Sequence, residues 1–175
     1  MTPHTSPLFE GCATALVTPF RNGEVDKTSF LRLLRHQIES GVDALVVAGT
    51  TGESPTLSDT EKLTLFRRCK DFAGNSCTII AGTGSNSTAH AVELSQAAEA
   101  AGVDALLVVT PYYNKCTQKG LVKYYNEICD NIDIPVLCYN VPARTGVNIL
   151  PETMAEIAEH KNIGGIKEAC GNMEQ

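Results

Sequence analysis

At 175 residues, 43% of them hydrophobic and 19% charged, the chain can bury a core without a disulfide or metal staple. With 20 acidic and 14 basic side chains it carries a net charge of −6. That balance excludes the basic footprint of a nucleic-acid binder or of a protein held on an anionic membrane, and it points to a small-molecule partner.

One domain over residues 1–175 is expected, built from a unit that recurs along the chain: a short apolar run, a few polar residues, then an amphipathic segment. The first run, Cys12–Val17, reads as a strand; Asp26 then caps a helix with Phe30, Leu33, Leu34 and Ile38 on one face and Gly41 as its stop. The second run is Asp43–Ala48, followed by the capping-box pair Ser58 and Glu61 before Leu65, Phe66 and Cys69, with Gly74 as the stop. Cys77–Ala81 precedes a helix from about Ser87 to Gly102, and Asp104–Val109 precedes one from about Gln118 to Asn131. Pro135–Tyr139 is the fifth run, Pro151 suits the first turn of the next helix, and Ile163–Ile166 is the sixth run.

Uniform apolar runs about 30 residues apart suit parallel strands buried on both faces. Periodicity leaves two architectures open, a doubly wound sheet and a closed barrel, and both gather functional loops at the carboxyl ends of the strands. A complete eight-unit barrel takes about 250 residues. On the barrel reading this chain covers the first six strands and lacks the last two βα units and a helical tail.

Between Met1 and Gly11 no basic segment is followed by an apolar stretch, and no apolar run approaches membrane-spanning length. Cys12, Cys69, Cys77, Cys116, Cys129, Cys138 and Cys170 form no C-x-x-C pair, and His4, His36, His90 and His160 show no zinc spacing. The expectation is a soluble cytoplasmic protein with reduced thiols and no metal.

The residues just past each strand are Thr18-Pro19, Gly49-Thr50-Thr51-Gly52-Glu53, Gly82-Thr83-Gly84, Thr110-Pro111-Tyr112-Tyr113, Tyr139-Asn140 and Lys167-Glu168. Hydroxyls dominate, with a single lysine, and this favours amine chemistry. Lys167 ends an apolar strand, where burial would disfavour the ammonium and leave a nucleophilic amine able to attack a ketone. It could equally reach solvent beyond the strand or pair with Glu168. Tyr139, Tyr113 and Thr50 are candidates to move the protons that imine formation needs, although each tyrosine also fits a packing role. The Gly49–Glu53 turn can present N–H groups and hydroxyls to a carboxylate, or be a tight connection only. Arg144 offers a fork for a second carboxylate or a solvated loop charge. Gly82-Thr83-Gly84 lacks the further glycine and acid of a dinucleotide fingerprint.

Taken together, Gly49-Thr50-Thr51-Gly52-Glu53-Ser54, Thr110-Pro111-Tyr112-Tyr113-Asn114, Tyr139-Asn140-Val141-Pro142-Ala143-Arg144-Thr145-Gly146 and Gly165-Ile166-Lys167-Glu168-Ala169 resemble the signatures of the dihydrodipicolinate synthase family, within the N-acetylneuraminate lyase superfamily of class I aldolases. The resemblance runs over essentially the whole chain. It implies a (β/α)8 barrel that condenses pyruvate with aspartate semialdehyde in lysine and diaminopimelate biosynthesis, as a homotetramer or dimer with no cofactor. By position, Lys167 would form the imine, Tyr139 would be the main proton donor and acceptor, and Thr50 would link it to a Tyr113 from a neighbouring subunit. Thr51, with Gly49, would hold the pyruvate carboxylate, and Arg144 the semialdehyde carboxylate. Related sialic acid and keto-sugar-acid lyases share the lysine, the tyrosine and the glycine turn, so Arg144 is the discriminating residue. A barrel fragment awaiting a complementary chain is a further alternative. The lysine-feedback residues would fall at Ser54, Asn86, His90 and Tyr112, but His90 replaces a carboxylate and Lys62 a histidine, departures that argue against feedback.

Overall fold

The computed structural model describes residues 7–175, so His4 lies outside the described residues. All six apolar runs form strands, and the chain divides into two compact units, Phe9–Gly82 with Ala97–Ala105 and Thr83–Gln96 with Leu106–Gln175.

In the first unit β1 (Ala13–Ala15), β4 (Ala44–Val47) and β5 (Thr78–Gly82) pair in parallel and in that order, Ala13 facing Ala44 and Val47 facing Ala81. Every residue of β4 is buried, as its unbroken Ala-Leu-Val-Val run requires. Between β1 and β4 lies a hairpin the strand spacing does not announce, β2 (Phe20–Arg21) with β3 (Glu24–Val25). Its turn residues Asn22 and Gly23 have φ of 53° and 83°, the left-handed pair that an Asn-Gly turn supplies. Helix α1 (Lys27–Glu39) starts where Asp26 accepts from the N–H groups of Thr28 and Ser29, and α2 (Asp59–Ala73) starts with the full Ser58/Glu61 capping box. Phe30 and Leu34 of α1 and Leu65 and Phe66 of α2 are buried, each worth roughly 1.5–3 kcal/mol relative to exposure.

The pentapeptide Gly-Val-Asp-Ala-Leu occurs at 41–45 and again at 102–106, and its carboxylate does the same work twice. Asp43 Oδ2 accepts from the Cys12 N–H at 2.7 Å. Asp104 Oδ2 accepts from the Ile79 N–H at 2.8 Å, while its Oδ1 takes Lys70 Nζ at 2.6 Å. Each aspartate thus ties the amino end of its strand to the strand before it.

Helix α3 (Thr88–Ala100) precedes the second unit's strands, β6 (Ala105–Val109), β7 (Val136–Asn140) and β8 (Ile163–Glu168), again parallel and in that order. Helix α4 (Gln118–Cys129) is capped by Thr117 and buries Leu121, Tyr124, Tyr125 and Ile128; the fully enclosed Tyr125 hydroxyl donates to Val108 O at 3.0 Å. Helix α6 (Pro151–Ile157) begins at Pro151, where a missing N–H costs nothing. Among the described residues no helix is long and apolar enough to cross a membrane.

Candidate active site

The carboxyl ends of β7 and β8 place Tyr139 opposite Lys167 and Asn140 opposite Glu168. Because side chains alternate along a strand, the first pair shares one face and the second pair the other. Tyr139 is buried, and Lys167 Nζ lies 4.4 Å from the centroid of its ring. A ring face this close attracts a cationic nitrogen and holds the amine within reach of the phenol.

Lys167 itself is exposed, as is most of β8 from Gly164 onward. This corrects the expectation of a buried amine. The strand's Gly164-Gly165 stretch supplies no side chain to cover it. Nor does Glu168 accept Lys167 as partner. Its carboxylate is taken by Asn140 Nδ2 at 3.0 and 2.9 Å, by the Cys170 N–H at 2.7 Å and by Gln175 Nε2 at 3.4 Å. Burial pushes the Glu168 carboxyl up, but these donors outweigh it and hold it below the usual carboxylate range.

Arg144 stands in the last turn of a short helix, α5 (Pro142–Thr145), and not in an irregular loop. Pro142 at its first turn and Gly146 beyond its end, at φ 73°, are the sequence marks of that helix. Thr145 Oγ1 accepts from the Val147 N–H at 3.2 Å, which fixes the turn and leaves Arg144 exposed at its edge.

After β6, Thr110 is fully buried and its hydroxyl has no hydrogen-bond partner among the described residues. Tyr113 follows at 89% exposure and a φ of 72°, with Lys115 at 52°. A bulky residue in the left-handed region costs on the order of 1–3 kcal/mol. Asn114 offsets it locally, its N–H bonding Tyr112 O at 2.9 Å and its Nδ2 bonding Asn86 O at 2.8 Å.

Gly49, Thr50 and Thr51 belong to the first unit. There the Gly52 and Ser54 N–H groups both point to Gly49 O, at 3.0 and 3.3 Å, and the Glu53 N–H points to Thr50 O at 3.1 Å. The second half of the turn is therefore engaged internally, and the two threonines stand exposed at its first half. Thr18 Oγ1 donates to Gly52 O at 2.7 Å and braces the turn from below. The glycines of Gly82-Thr83-Gly84 answer to crowding, since a Cβ at Gly82 would come within 2.3 Å of Ala48 O and one at Gly84 within 2.4 Å of Val109 N. Among the described residues no group of three or more His, Cys, Asp or Glu side chains is placed to hold a metal ion.

Residues 8–175 match the model of the dihydrodipicolinate synthetase family. The chain belongs to that family. It is 52% identical over 168 residues to the 4-hydroxy-tetrahydrodipicolinate synthase of Geobacter metallireducens, covering 96% of this chain and 58% of that protein. It superposes with a TM-score of 0.94 on the crystal structure of dihydrodipicolinate synthase from Thermotoga maritima, at 50% identity over 96% of this chain and 57% of that one. A chloride-inhibited dihydrodipicolinate synthase from Acinetobacter baumannii, complexed with pyruvate, matches with a TM-score of 0.92 at 45% identity over 94% and 57% of the two chains. The chain thus spans about 58% of the length of the curated relatives it matches, and over that part its six parallel strands and their helices follow the fold of the solved synthases.

What the sequence reading did not single out is the cluster behind the Tyr139–Lys167 pair. Asn140 is fully buried, its Nδ2 also donates to Asn148 Oδ1 at 2.8 Å, and its Oδ1 accepts from the Ile149 N–H at 3.0 Å. The available signal was the polar residue that follows both Tyr139 and Lys167 at a strand end.

Proposed function

We propose that the site condenses pyruvate with aspartate semialdehyde to 4-hydroxy-tetrahydrodipicolinate, the reaction of lysine and diaminopimelate biosynthesis, through an imine on Lys167. The observation that carries this reading is the amine of Lys167 held 4.4 Å above the Tyr139 ring, in a chain that belongs to this family.

The Lys167 nitrogen lone pair adds to the keto carbon, and the carbonyl oxygen takes a proton. The carbinolamine then loses that oxygen as water, so amine and ketone become imine and water. Protonated, the imine draws electrons from the neighbouring methyl carbon, which gives up a proton and attacks the aldehyde, whose oxygen takes a proton to become the hydroxyl. The semialdehyde's own amine then adds to the imine carbon and expels the Lys167 amine, closing the ring and freeing the lysine. Tyr139 serves as proton donor and acceptor because a phenol can do both. Thr50 relays between it and Tyr113, Thr51 and Gly49 receive the pyruvate carboxylate, and Arg144 takes the semialdehyde carboxylate with its two-pronged guanidinium. All the bond changes run on side-chain groups and the imine, so the scheme calls on no cofactor.

The exposed Tyr113, held at a φ of 72°, suits a residue offered to a second subunit in a dimer or tetramer. The seven free cysteines fit a reducing compartment, the cytoplasm.

The test is incubation of the chain with pyruvate, reduction with borohydride and peptide mass spectrometry. The expected result is a single adduct on Lys167 that is lost in Lys167→Ala. An adduct on another lysine, or none in a folded sample, overturns the reading for this chain.

A further inference from the structure

β8 is irregular just before the residues that matter. Val136 faces Ile163 but Leu137 faces Gly165, so Gly164 is an extra residue in the ladder, and Gly165 sits at a φ of 152°. Bulges of this kind re-aim the side chains that follow, and a slip of one residue would turn Lys167 to the opposite face of the strand. Apolar burial does not choose the register here, because Ile166 is 39% exposed and the two preceding residues are glycines.

What does choose it lies one position beyond Lys167. Asn140, fully buried, gives its amide to both oxygens of Glu168, directly across the ladder, and its other bonds run to Asn148 and the Ile149 N–H. Gln175 ties the same cluster together, donating to Asn148 Oδ1 at 3.2 Å and to Ile149 O at 3.2 Å. A pairing shifted by one residue would bring Glu168 out of reach and leave the enclosed amide of Asn140 short of an acceptor, which a buried donor tolerates poorly.

We infer that Asn140 and Glu168 form a register lock that holds Lys167 over Tyr139, an inference that rests on the imine-forming role of Lys167 proposed above. Both are positioning residues: they lie on the face opposite the reacting groups and act through the strands that carry them.

The experiment compares the wild-type chain with Asn140→Asp, which sets carboxylate against carboxylate, and with the double variant Asn140→Asp/Glu168→Gln, which restores a donor–acceptor pair of reversed polarity. The rate of borohydride-trapped pyruvate adduct at Lys167 is followed as a function of pyruvate concentration. Asn140→Asp is expected to lower the limiting rate about tenfold or more, with half-saturating pyruvate moved by less than about twofold, since small misplacements of a reacting group cost large rate factors. The double variant is expected to recover to within about threefold of wild type, the coupling that a contacting pair shows. A purely structural role would move the melting temperature and leave the limiting rate per folded molecule alone. Should Asn140→Asp fail to fold, Glu168→Ala at the exposed partner replaces it and is expected to slow trapping in the same way. The lock is overturned if a folded Asn140→Asp or Glu168→Ala chain traps at the wild-type rate, or if the double variant is as slow as Asn140→Asp. Absence of any wild-type adduct overturns the imine role instead. The lock is then decided by acylation of Lys167 with a neutral reagent, whose rate relative to the exposed Lys119 and Lys161 changes in Asn140→Asp if the lock exists and stays constant if it does not.

Discussion

A single methyl group at Gly82 tests how closely the first unit's strand ends are packed. Its Cβ would stand 2.3 Å from Ala48 O, 2.9 Å from Ala48 C and 3.1 Å from Gly49 Cα, against an ordinary contact that begins at 3.4 Å. Backbone must therefore yield by about 1 Å, more than a packed interior absorbs without loss. Ala48 has little slack, already sitting at a φ of 50°. Overpacking of this size costs about 1–3 kcal/mol. With a urea slope of about 2 kcal/mol per molar, the unfolding midpoint of Gly82→Ala should fall by roughly 0.5–1.5 M. The backbone displaced most is Ala48, the residue that leads into the Gly49–Glu53 turn. Gly120→Ala is the control, because the nearest atom to its Cβ, at 2.7 Å, is the end of the Cys116 side chain, which can turn away. A Gly82→Ala midpoint indistinguishable from that of wild type would refute the packing argument.

Thr110→Val removes a buried hydroxyl that has no partner among the described residues, and should raise stability by up to about 1 kcal/mol in urea unfolding. Asn162→Ala should destabilise by about 2–4 kcal/mol, since the buried amide donates to Cys129 O at 3.0 Å and Ile132 O at 2.7 Å and both carbonyls would be left bare. Asp26 is held at about 2, against 3.8, by the Ser29 N–H and hydroxyl, with burial opposing and Arg21 assisting. A depressed folded value means that its stabilisation is complete above pH 3.8 and fades as pH falls through about 2. Asp26→Asn should flatten acid unfolding in that window, as followed by circular dichroism. Burial pushes the Cys129 thiol up to about 12, with Asp130 adding to it, and pushes Cys69 and Cys138 higher still. A thiol reagent at mildly alkaline pH should label exposed Cys12 first and these three only on unfolding, read by peptide mass spectrometry.

The repeat was legible because the buried strands are nearly unbroken apolar runs and three helices open on a recognisable mark: the caps Asp26 and Ser58, and Pro151 in a first turn. The β2–β3 hairpin escaped because two-residue strands carry no period, though Asn22-Gly23 announces its turn. Helix α5 escaped because Pro142 was read within a motif and not as a helix start. That the Tyr139 and Lys167 strands are neighbours follows from strand order, but the register that pairs the two residues and the exposure of Lys167 do not. An apolar run such as Ile163–Ile166 looks buried in sequence, whereas its two glycines give it little to bury. The Asn140–Glu168 cluster depends on a register shift at Gly164, which no local pattern encodes.

The aspartate of each Gly-Val-Asp-Ala-Leu segment has a bearing on how such a chain can be recombined. The side-chain fastening that each aspartate adds to the strand ladder sits at the amino end, remote from the turns that follow the carboxyl ends. A crossover placed just ahead of Gly41 or Gly102 hands the incoming module its own clasp. One placed after Asp43 or Asp104 separates the clasp from the strand it secures. Chimeras cut at the first kind of boundary should keep their scaffold while exchanging catalytic turns, and the pentapeptide is then a splice mark written in the chain itself.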